Sequence, residues 1–235
     1  MLSGESLTLE RAAAHHLQTV LRVKPDTCVT LFDGAGQTRQ VRVTDVTRHG
    51  ITLVAETPLQ RHPRSGCELT LFACVSKGKR MDWTVEKAVE LGVARLVPVL
   101  SERTVVRLDP EEGDARVERW QRVAEEAARQ CGAVWLPEIV PPCDFREALT
   151  RVLHTQPLFV AALTPGTRLL RDALAGYATS PQQAGWFVGP EGDFTPDELS
   201  ALIAAGAIPV SLGPLVLRTE TACLYGLCAL HCAWS

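Results

Sequence analysis

Residues 185–199 read GWFVGPEGDFTPDEL, a stretch that contains a strand, a tight turn and the start of a helix. Its apolar beginning predicts the strand. The letters TPDE at 195–198 form a capping box with proline at the first helical position, which predicts a helix over 196–205. Gly189 and Gly192 lie in the turn between, where glycine lets the backbone approach a ligand closely. A plain turn would have the same composition, so this loop alone leaves a binding role open.

Outward from this stretch, strands and helices alternate. Apolar runs predict strands at 69–75, 95–99, 134–140, 158–163, 185–188 and 208–212. Helical periodicity and helix-start signals predict helices at 81–91, 115–130, 145–153, 196–205 and 220–233. Such alternation is typical of an α/β fold in which helices cover both faces of a mostly parallel sheet.

The N-terminal quarter has a different pattern. Apolar spacing predicts a helix over 12–23, and three strand-like runs follow at 28–32, 39–46 and 51–55. The segment TPLQRHPRSG at 57–66 carries two prolines and a glycine and is typical of an interdomain linker. We therefore predict a small β-rich domain over 1–62 and an α/β domain over 63–235.

Composition excludes several classes of protein. With 235 residues, 46% of them hydrophobic and 22% charged, the chain is neither disordered nor fibrous. A net charge of −3 gives no general attraction to nucleic acid, so a polyanion site would be a local patch. No apolar run reaches the roughly 18–20 residues of a membrane-spanning helix, and the N-terminus lacks a signal-peptide pattern. The eight cysteines form no CxxC pair and have no zinc-ligand spacing, so we expect reduced, mostly buried thiols in a cytoplasmic protein without a metal.

Three strand ends are candidates for chemistry, because ligands of an open parallel sheet bind beyond the carboxyl ends of its strands. They are 163–166, 189–193 and 212–221. In the third, Arg218 and Glu220 stand between an apolar run and an apolar helix, where they are solvated, paired with each other or used by a ligand. Helix capping plus an ion pair is the purely structural alternative. GxGxxG, P-loop, GxSxG and HExxH motifs do not occur, so a Rossmann-type nucleotide site is not supported.

A basic cluster follows the strand at 69–75. It contains Lys77, Lys79 and Arg80, with Arg103 and Arg107 after the next strand. These charges could contact phosphates, although a charge run is often only a solvated face.

Several short motifs occur along the chain. Each is weak evidence alone, but their order and spacing together are specific. In the N-terminal domain they are HLQTVLR (16–22) and LFDGAG (31–36). In the C-terminal domain they are KGKRM (77–81), KAVELGV (87–93), SERT (101–104), EAARQ (126–130), GPEG (189–192), LGP (212–214) and LRTETA (217–222). Over nearly its whole length the chain thereby resembles the ribosomal RNA small subunit methyltransferase E family of the SPOUT superfamily.

The resemblance implies a trefoil-knotted, parallel-sheet methyltransferase domain preceded by a PUA-like β-barrel that binds RNA. It implies a homodimer that uses S-adenosylmethionine to methylate N3 of one uridine near the 3′ end of 16S rRNA in the small ribosomal subunit. The implied cofactor-binding residues are Leu163, Gly189, Pro190, Glu191, Gly192, Leu212, Gly213, Leu217 and Thr219. The expected RNA-binding residues are Arg22, Lys77, Lys79, Arg80 and Arg107.

The implied reaction suggests catalytic residues. Uracil N3 carries a proton at neutral pH, so a cation near O2 or O4 would stabilise the anion that forms when the proton leaves. We assign this role to Arg218 or Arg103, with Glu220 as the base or as the residue that orients the arginine. N3 lies on the Watson–Crick edge, so the target base must be unpaired or flipped.

The chain also departs from the family pattern. The family begins with a short strand that carries an early arginine, and MLSGESLTLE lacks such a segment; Ala133 and Leu215 stand where basic residues are common. These differences would weaken RNA affinity without affecting the cofactor site.

The final helix, 221–234, is apolar nearly all round. We predict that one side of it packs in the core of the chain and that the other side forms a dimer contact.

Two functional alternatives stay open. One is a knotted methyltransferase that acts on tRNA or on a ribose 2′-hydroxyl. The other is a non-catalytic RNA-binding module.

Overall fold

The computed structural model describes residues 2, 4–10 and 14–234, and the chain divides into two compact units, Met1–Arg64 and Ser65–Ser235. The strands of the first unit are β1 (Ser6–Glu10), β2 (Cys28–Phe32), β3 (Gln37–Thr47), β4 (Gly50–Ala55) and β5 (Gln60–Arg61). They form an antiparallel sheet in the order β1-β4-β3-β2, and β5 pairs with β3. Alternating residues of β3 and β4 bury Val41, Val43, Ile51 and Leu53 in the core of this unit.

The start of this unit differs from the sequence prediction in two ways. Helical structure is described from residue 14, continues as a π-helical turn over His16–Val20, and gives way to Arg22 at a φ of 49°. The helix therefore ends before the predicted residue 23, and residues 12 and 13 of the prediction lie outside the described residues. The expectation that no strand precedes the helix is wrong. β1 pairs with β4 because its alternating leucines pack against the core, although the strand carries no arginine.

The second unit contains a parallel sheet in the order β12-β10-β11-β6-β7-β8, with β9 also paired to β7. Its strands are β6 (Glu68–Cys74), β7 (Arg95–Leu100), β8 (Glu138–Ile139), β9 (Cys143–Asp144), β10 (Leu158–Ala161), β11 (Gln183–Val188) and β12 (Ile208–Val210). The α/β class and the parallel sheet are thus confirmed. Phe72 of β6 and Phe187 of β11 stack in its core with ring centroids 5.2 Å apart.

Six α-helices of this unit are described. They are α1 (Arg80–Glu90), α2 (Pro110–Cys131), α3 (Phe145–Val152), α4 (Leu170–Leu174), α5 (Pro196–Ala204) and α6 (Thr219–Trp234). The predicted start of α2 at 115 is five residues late, because the Asp109 side chain accepts from the Glu112 amide and caps the helix in front of Pro110. The short helix α4 was not predicted from the sequence.

The predicted strand at 134–140 is mostly irregular. Only Glu138 and Ile139 pair with β7. Prolines at 137, 141 and 142 surround this pair, and proline has no amide to donate to a ladder. A further short pairing follows at β9.

Helix α6 is positioned against the middle of the sheet by a glycine and a tryptophan. Trp186 of β11 donates from Nε1 to the carbonyl oxygen of Ala222 at 3.1 Å. A Cβ on Gly226 would lie 2.0 Å from Cε2 of the same indole, so only glycine permits this contact. The start of α6 is thereby placed beside the end of β11.

One side of α6 packs in the core, as predicted, and the dimer contact expected of its other side stays a prediction. One side is buried, through Ala222, Cys223, Gly226, Leu227, Leu230 and Trp234. The opposite side exposes Thr221, Tyr225, Cys228 and Cys232, at helical spacing.

The eight cysteines are free, as expected, but they are not mostly buried. Cys74, Cys143 and Cys223 are buried, and Cys67 is half-buried. The other four lie on the surface, on an edge strand or on helix surfaces: Cys28, Cys131, Cys228 and Cys232. Among the described residues there is no cluster of possible metal ligands, and no helix has the length and apolarity to cross a membrane.

Candidate active site

Three loops meet in one cleft at the carboxyl ends of β10, β11 and β12. These strands are neighbours in the sheet, so their ends share one edge. The cleft is lined by Ala161, Ala162, Leu163, Val188, Gly189, Pro190, Glu191, Asp193, Val210, Ser211, Leu212, Gly213, Leu215, Val216, Leu217, Thr219 and Ala222. The three strand ends that the sequence singled out therefore converge.

The cleft gathers nearly all of the residues predicted to bind a cofactor. Those on its wall are Leu163, Gly189, Pro190, Glu191, Leu212, Gly213, Leu217 and Thr219. Gly192 is not part of the wall. A Cβ at this glycine would lie 3.4 Å from Cβ of Arg103, so Gly192 is where the loop packs closely against the Arg103 side chain.

The loop after β11 is held from outside by Arg103. The guanidinium donates through Nη1 to the carbonyl oxygens of Gly192, at 2.8 Å, and of Phe194, at 3.3 Å. Inside the loop, Asp193 has a φ of 57° and its Oδ1 accepts from the Phe194 amide at 2.8 Å. Gly189 lies against the Phe194 ring, which a Cβ would approach to 3.2 Å. These contacts fix the path of the backbone that faces the cleft.

The capping box predicted at 195–198 is present and has a second role. The Thr195 hydroxyl accepts from the Glu198 amide, and Oε2 of Glu198 accepts from the Thr195 amide at 3.0 Å. The other carboxylate oxygen of this buried glutamate accepts from the Glu102 amide at 2.8 Å. Glu198 therefore also anchors the loop that carries Arg103, which sequence reasoning did not predict.

The third loop is tied to the second by Thr219. Its buried hydroxyl donates to the carbonyl oxygen of Gly189 at 3.1 Å. Because Thr219 is the first residue of α6, this bond fixes the start of the helix against the loop after β11.

Of the predicted catalytic residues, Arg218 is exposed and forms no side-chain hydrogen bond or ion pair within the described chain. Glu220 is largely buried, and its Oε2 has no hydrogen-bond partner there. The nearest cation to Glu220 is Arg80, whose Nε lies 3.9 Å from Oε1. Arg80 also donates from Nη1 to Oε1 of Glu191 at 2.9 Å. The arginine beside Glu220 is thus Arg80, which sequence reasoning had assigned to RNA alone.

A second, more open cleft adjoins the first. It is lined by Lys77, Lys79, Arg80, Trp83, Glu220 and Thr221. The ion pair between Arg80 and Glu191 joins its wall to that of the first cleft. Sequence reasoning missed Trp83, although a tryptophan three positions after a basic cluster is a signal that could have found it.

The other predicted RNA-binding arginines lie in different surroundings. Arg22 is exposed at the positive φ that follows the π-helical turn of the N-terminal unit. Arg107 is exposed, and it donates to the carbonyl oxygens of Thr104, at 2.7 Å, and of Glu102, at 3.4 Å. Arg107 therefore also stabilises its own loop.

Thiol chemistry is not available from the buried cysteines of this region. Burial raises the pKa of Cys74 to about 12, and burial likewise raises the pKa of Cys223 well above its usual range. Since the thiolate is the reactive form, both side chains stay protonated and unreactive near neutral pH.

Comparison with known proteins gives consistent matches. Residues 63–231 match the model of an RNA methyltransferase domain, and residues 9–56 match that of an RNA methyltransferase PUA domain. The ribosomal RNA small subunit methyltransferase E of Synechocystis sp. is 34% identical over 92% of this chain and 70% of its own length.

Two solved structures are similar in fold. The ribosomal RNA small subunit methyltransferase E of Neisseria gonorrhoeae, solved bound to S-adenosylmethionine, has 33% identity and a TM-score of 0.85, and the match covers 97% of this chain and 92% of that one. A Legionella pneumophila structure solved with the cofactor SAM has 29% identity and a TM-score of 0.89, over 99% of this chain and 94% of that one.

Proposed function

Because the chain belongs to the ribosomal RNA small subunit methyltransferase E family, we propose that it transfers the methyl group of S-adenosylmethionine to N3 of one uridine near the 3′ end of 16S rRNA. The observation that carries the proposal is the convergence of three strand-end loops in one cleft. Relatives with the same fold have been solved with this cofactor bound.

The cleft has the chemistry that S-adenosylmethionine requires. Leu163, Leu215 and Val216 stand around it with 60%, 75% and 76% of their surface exposed, an apolar cluster that a ligand would cover. Backbone groups of the glycine-bearing turns supply polar contacts without bulky side chains. We assign cofactor binding to the predicted residues on this wall. Gly192 and Arg103 would instead support the loop after β11.

When bound, the cofactor supplies a methyl group on a sulfonium, which leaves the protein with the tasks of orienting the uracil and removing its N3 proton. Arg218 has a guanidinium that no other described residue holds, so it is available to stabilise the uracil anion through a carbonyl oxygen. The guanidinium of Arg103 is held against the loop after β11, because its Nη1 donates to the carbonyl oxygens of Gly192 and Phe194. We therefore assign the anion-stabilising role to Arg218 and a positioning role to Arg103.

Glu220 is the proposed acceptor of the N3 proton. Its Oε2 is buried and has no partner among the described residues, while Oε1 faces Arg80. A buried carboxylate oxygen without a donor is costly unless a ligand provides one. The N3–H group of the target uracil is a donor of the right kind.

We propose that both units take part in substrate binding. The N-terminal residues 1–62, with the exposed Arg22, would bind RNA as a PUA-like domain, and residues 63–235 would carry the reaction. We also propose the trefoil threading implied by the family; the return of α6 to pack on β11 and β6, after the chain has formed β12, supports it. The exposed side of α6 at Tyr225, Cys228 and Cys232 would form the homodimer contact, and the enzyme would act on the small ribosomal subunit in the cytoplasm.

The proposal is tested by mapping methylated nucleotides in small-subunit RNA from cells with and without this gene. We expect N3-methyluridine at one position near the 3′ end, lost on deletion and restored by the wild-type gene. Loss of a tRNA or 2′-O-methyl mark instead would support the alternative methyltransferases. Unchanged RNA, together with no binding of S-adenosylmethionine in calorimetry, would support a non-catalytic RNA-binding module.

A further inference from the structure

Trp83 is in an unusual position for a tryptophan of this chain. It is 41% exposed, whereas three of the other four tryptophans are buried and Trp135 is half-buried. Helix α1 packs through a different set of residues: Met81, Thr84, Val85, Ala88 and Val89. The indole of Trp83 is therefore not needed to hold α1 on the sheet, and its exposure calls for another explanation.

Positive charge surrounds this indole. Lys77, Lys79 and Arg80 line the same open cleft, and all three are exposed. Neither lysine forms an ion pair or side-chain hydrogen bond within the described part of the chain. Glu220 is the carboxylate on this wall, and Arg80 already faces it. The cleft consequently keeps an excess of positive charge.

An exposed aromatic face among free cations is suited to single-stranded nucleic acid. Bases stack on aromatic rings whatever their identity, while lysine ammoniums neutralise phosphates. A folded protein surface would fit less well, because the two lysines would lose hydration without compensating carboxylates. We propose that Trp83 stacks on a base of the RNA substrate and that Lys77 and Lys79 contact its backbone.

The position of the cleft identifies which base this is. Arg80, which lines the cleft with Trp83, pairs with Glu191 of the loop that lines the cofactor cleft, so the two clefts meet at this ion pair. The target base must reach both the methyl donor in the cofactor cleft and Glu220, which lies where the two clefts meet, so the base on Trp83 is a neighbour of the target in the strand. Stacking the neighbour would hold the strand open and leave the target unpaired, as access to N3 requires. This inference rests on the proposed function for the identity of the strand.

The test compares Trp83→Ala with Trp83→Phe, using an RNA oligonucleotide that spans the methylated uridine. We expect Trp83→Ala to raise the Kd of this RNA about 5- to 150-fold, the range of a lost base–aromatic stack. Trp83→Phe, which keeps an aromatic face, should stay within a few-fold of wild type. Leu153→Ala removes an apolar side chain that is 61% exposed and lies outside both clefts, and it should not change the Kd. Tryptophan fluorescence should be quenched by the RNA in the wild type and much less in Trp83→Phe.

The lysines provide an independent measurement. Lys77→Ala and Lys79→Ala should each reduce the slope of log Kd against log salt by about 0.7, whereas Arg146→Ala, at an exposed cation elsewhere, should leave it unchanged.

Three outcomes would overturn the proposal: an RNA Kd within twofold of wild type in Trp83→Ala, no RNA binding by the wild type, or a halved solution mass in Trp83→Ala. The last would make Trp83 a subunit contact. If RNA binding depends on Trp83 but no N3-methyluridine forms, the stacking site stands and the proposed reaction fails.

Discussion

The two clefts are built in opposite ways. The cofactor cleft is made of backbone held in place by buried or bonded side chains, with Arg103, Glu198 and Thr219 tying its loops together. The cleft around Trp83 is made mostly of exposed side chains, and the ion pair that joins it to the first cleft links Arg80 and Glu191, whose side chains are 44% and 39% exposed. Such a surface pair contributes only about 0–1 kcal/mol. The difference suggests that the first site is preorganised for one small ligand, while the second adapts to a flexible, charged strand.

The largest expected effect breaks the reaction and leaves both clefts intact. Arg218→Ala should lower the single-turnover methylation rate by about 100-fold or more, the usual cost of losing a donor to a developing oxyanion. Affinity for S-adenosylmethionine should not change, because the guanidinium is exposed and is not part of the cofactor wall. Quench-flow measurements with saturating RNA test this. A rate within twofold of wild type would remove Arg218 from the mechanism.

The next effect concerns preorganisation of the first cleft. Arg103→Ala removes the two hydrogen bonds that Nη1 donates to the loop after β11 and should weaken S-adenosylmethionine binding roughly tenfold, since a bond from a charged donor contributes about 1.5–3 kcal/mol. Calorimetry measures this affinity directly. Arg107→Ala, in the same loop but bonded only to its own loop carbonyls, is the matched control and should have a smaller effect. Equal affinities for wild type and Arg103→Ala would show that the loop needs no support.

A third prediction concerns the helix that both clefts share. Gly226→Ala places a methyl group on the Trp186 indole and should cost about 1–3 kcal/mol of stability. The expected fall in Tm is about 2–4 °C per kcal/mol for a chain of this size. Differential scanning calorimetry tests it, with Ala229→Gly at a less buried position of the same helix as a control for helix propensity. An unchanged Tm for Gly226→Ala would contradict the close packing of α6 on β11.

The smallest effect distinguishes open surface from subunit contact. In the monomer, Cys28, Cys131, Cys228 and Cys232 are exposed and should react with a thiol reagent near pH 8, whereas the pKa of Cys74, raised to about 12 by burial, keeps that thiol inert. If α6 forms the dimer contact, Cys228 and Cys232 should be protected and become reactive on dilution. Mass spectrometry of labelled peptides gives the answer. Immediate labelling of both at every concentration would contradict the proposed dimer contact.

Local signals made the fold and the first cleft predictable. The capping box at 195–198 and the glycines of the GPEG turn are read within a few residues, and the three strand ends follow from the α/β pattern. The contacts that organise the site were not predictable because they join distant positions. Arg80 meets Glu191 across 111 residues, and Arg103 reaches the Gly192 carbonyl across 89. No periodicity or spacing in a single sequence encodes such pairs.

The exposure of individual side chains was also not predictable from the sequence. The apolar residues of α6 predicted that one side lies in the core and the other in a dimer contact, but the sequence did not identify which residues belong to which side. The same holds for Trp83. Helical periodicity shows on which side of α1 it lies, but not whether another element covers that side.

Titration of S-adenosylmethionine into the wild-type protein, followed by calorimetry, tests the central claim most directly. The convergence of the three strand-end loops predicts saturable binding with one molecule per chain, and with competition by S-adenosylhomocysteine. Absence of any binding heat over a range of temperatures, from protein that unfolds cooperatively, would contradict it.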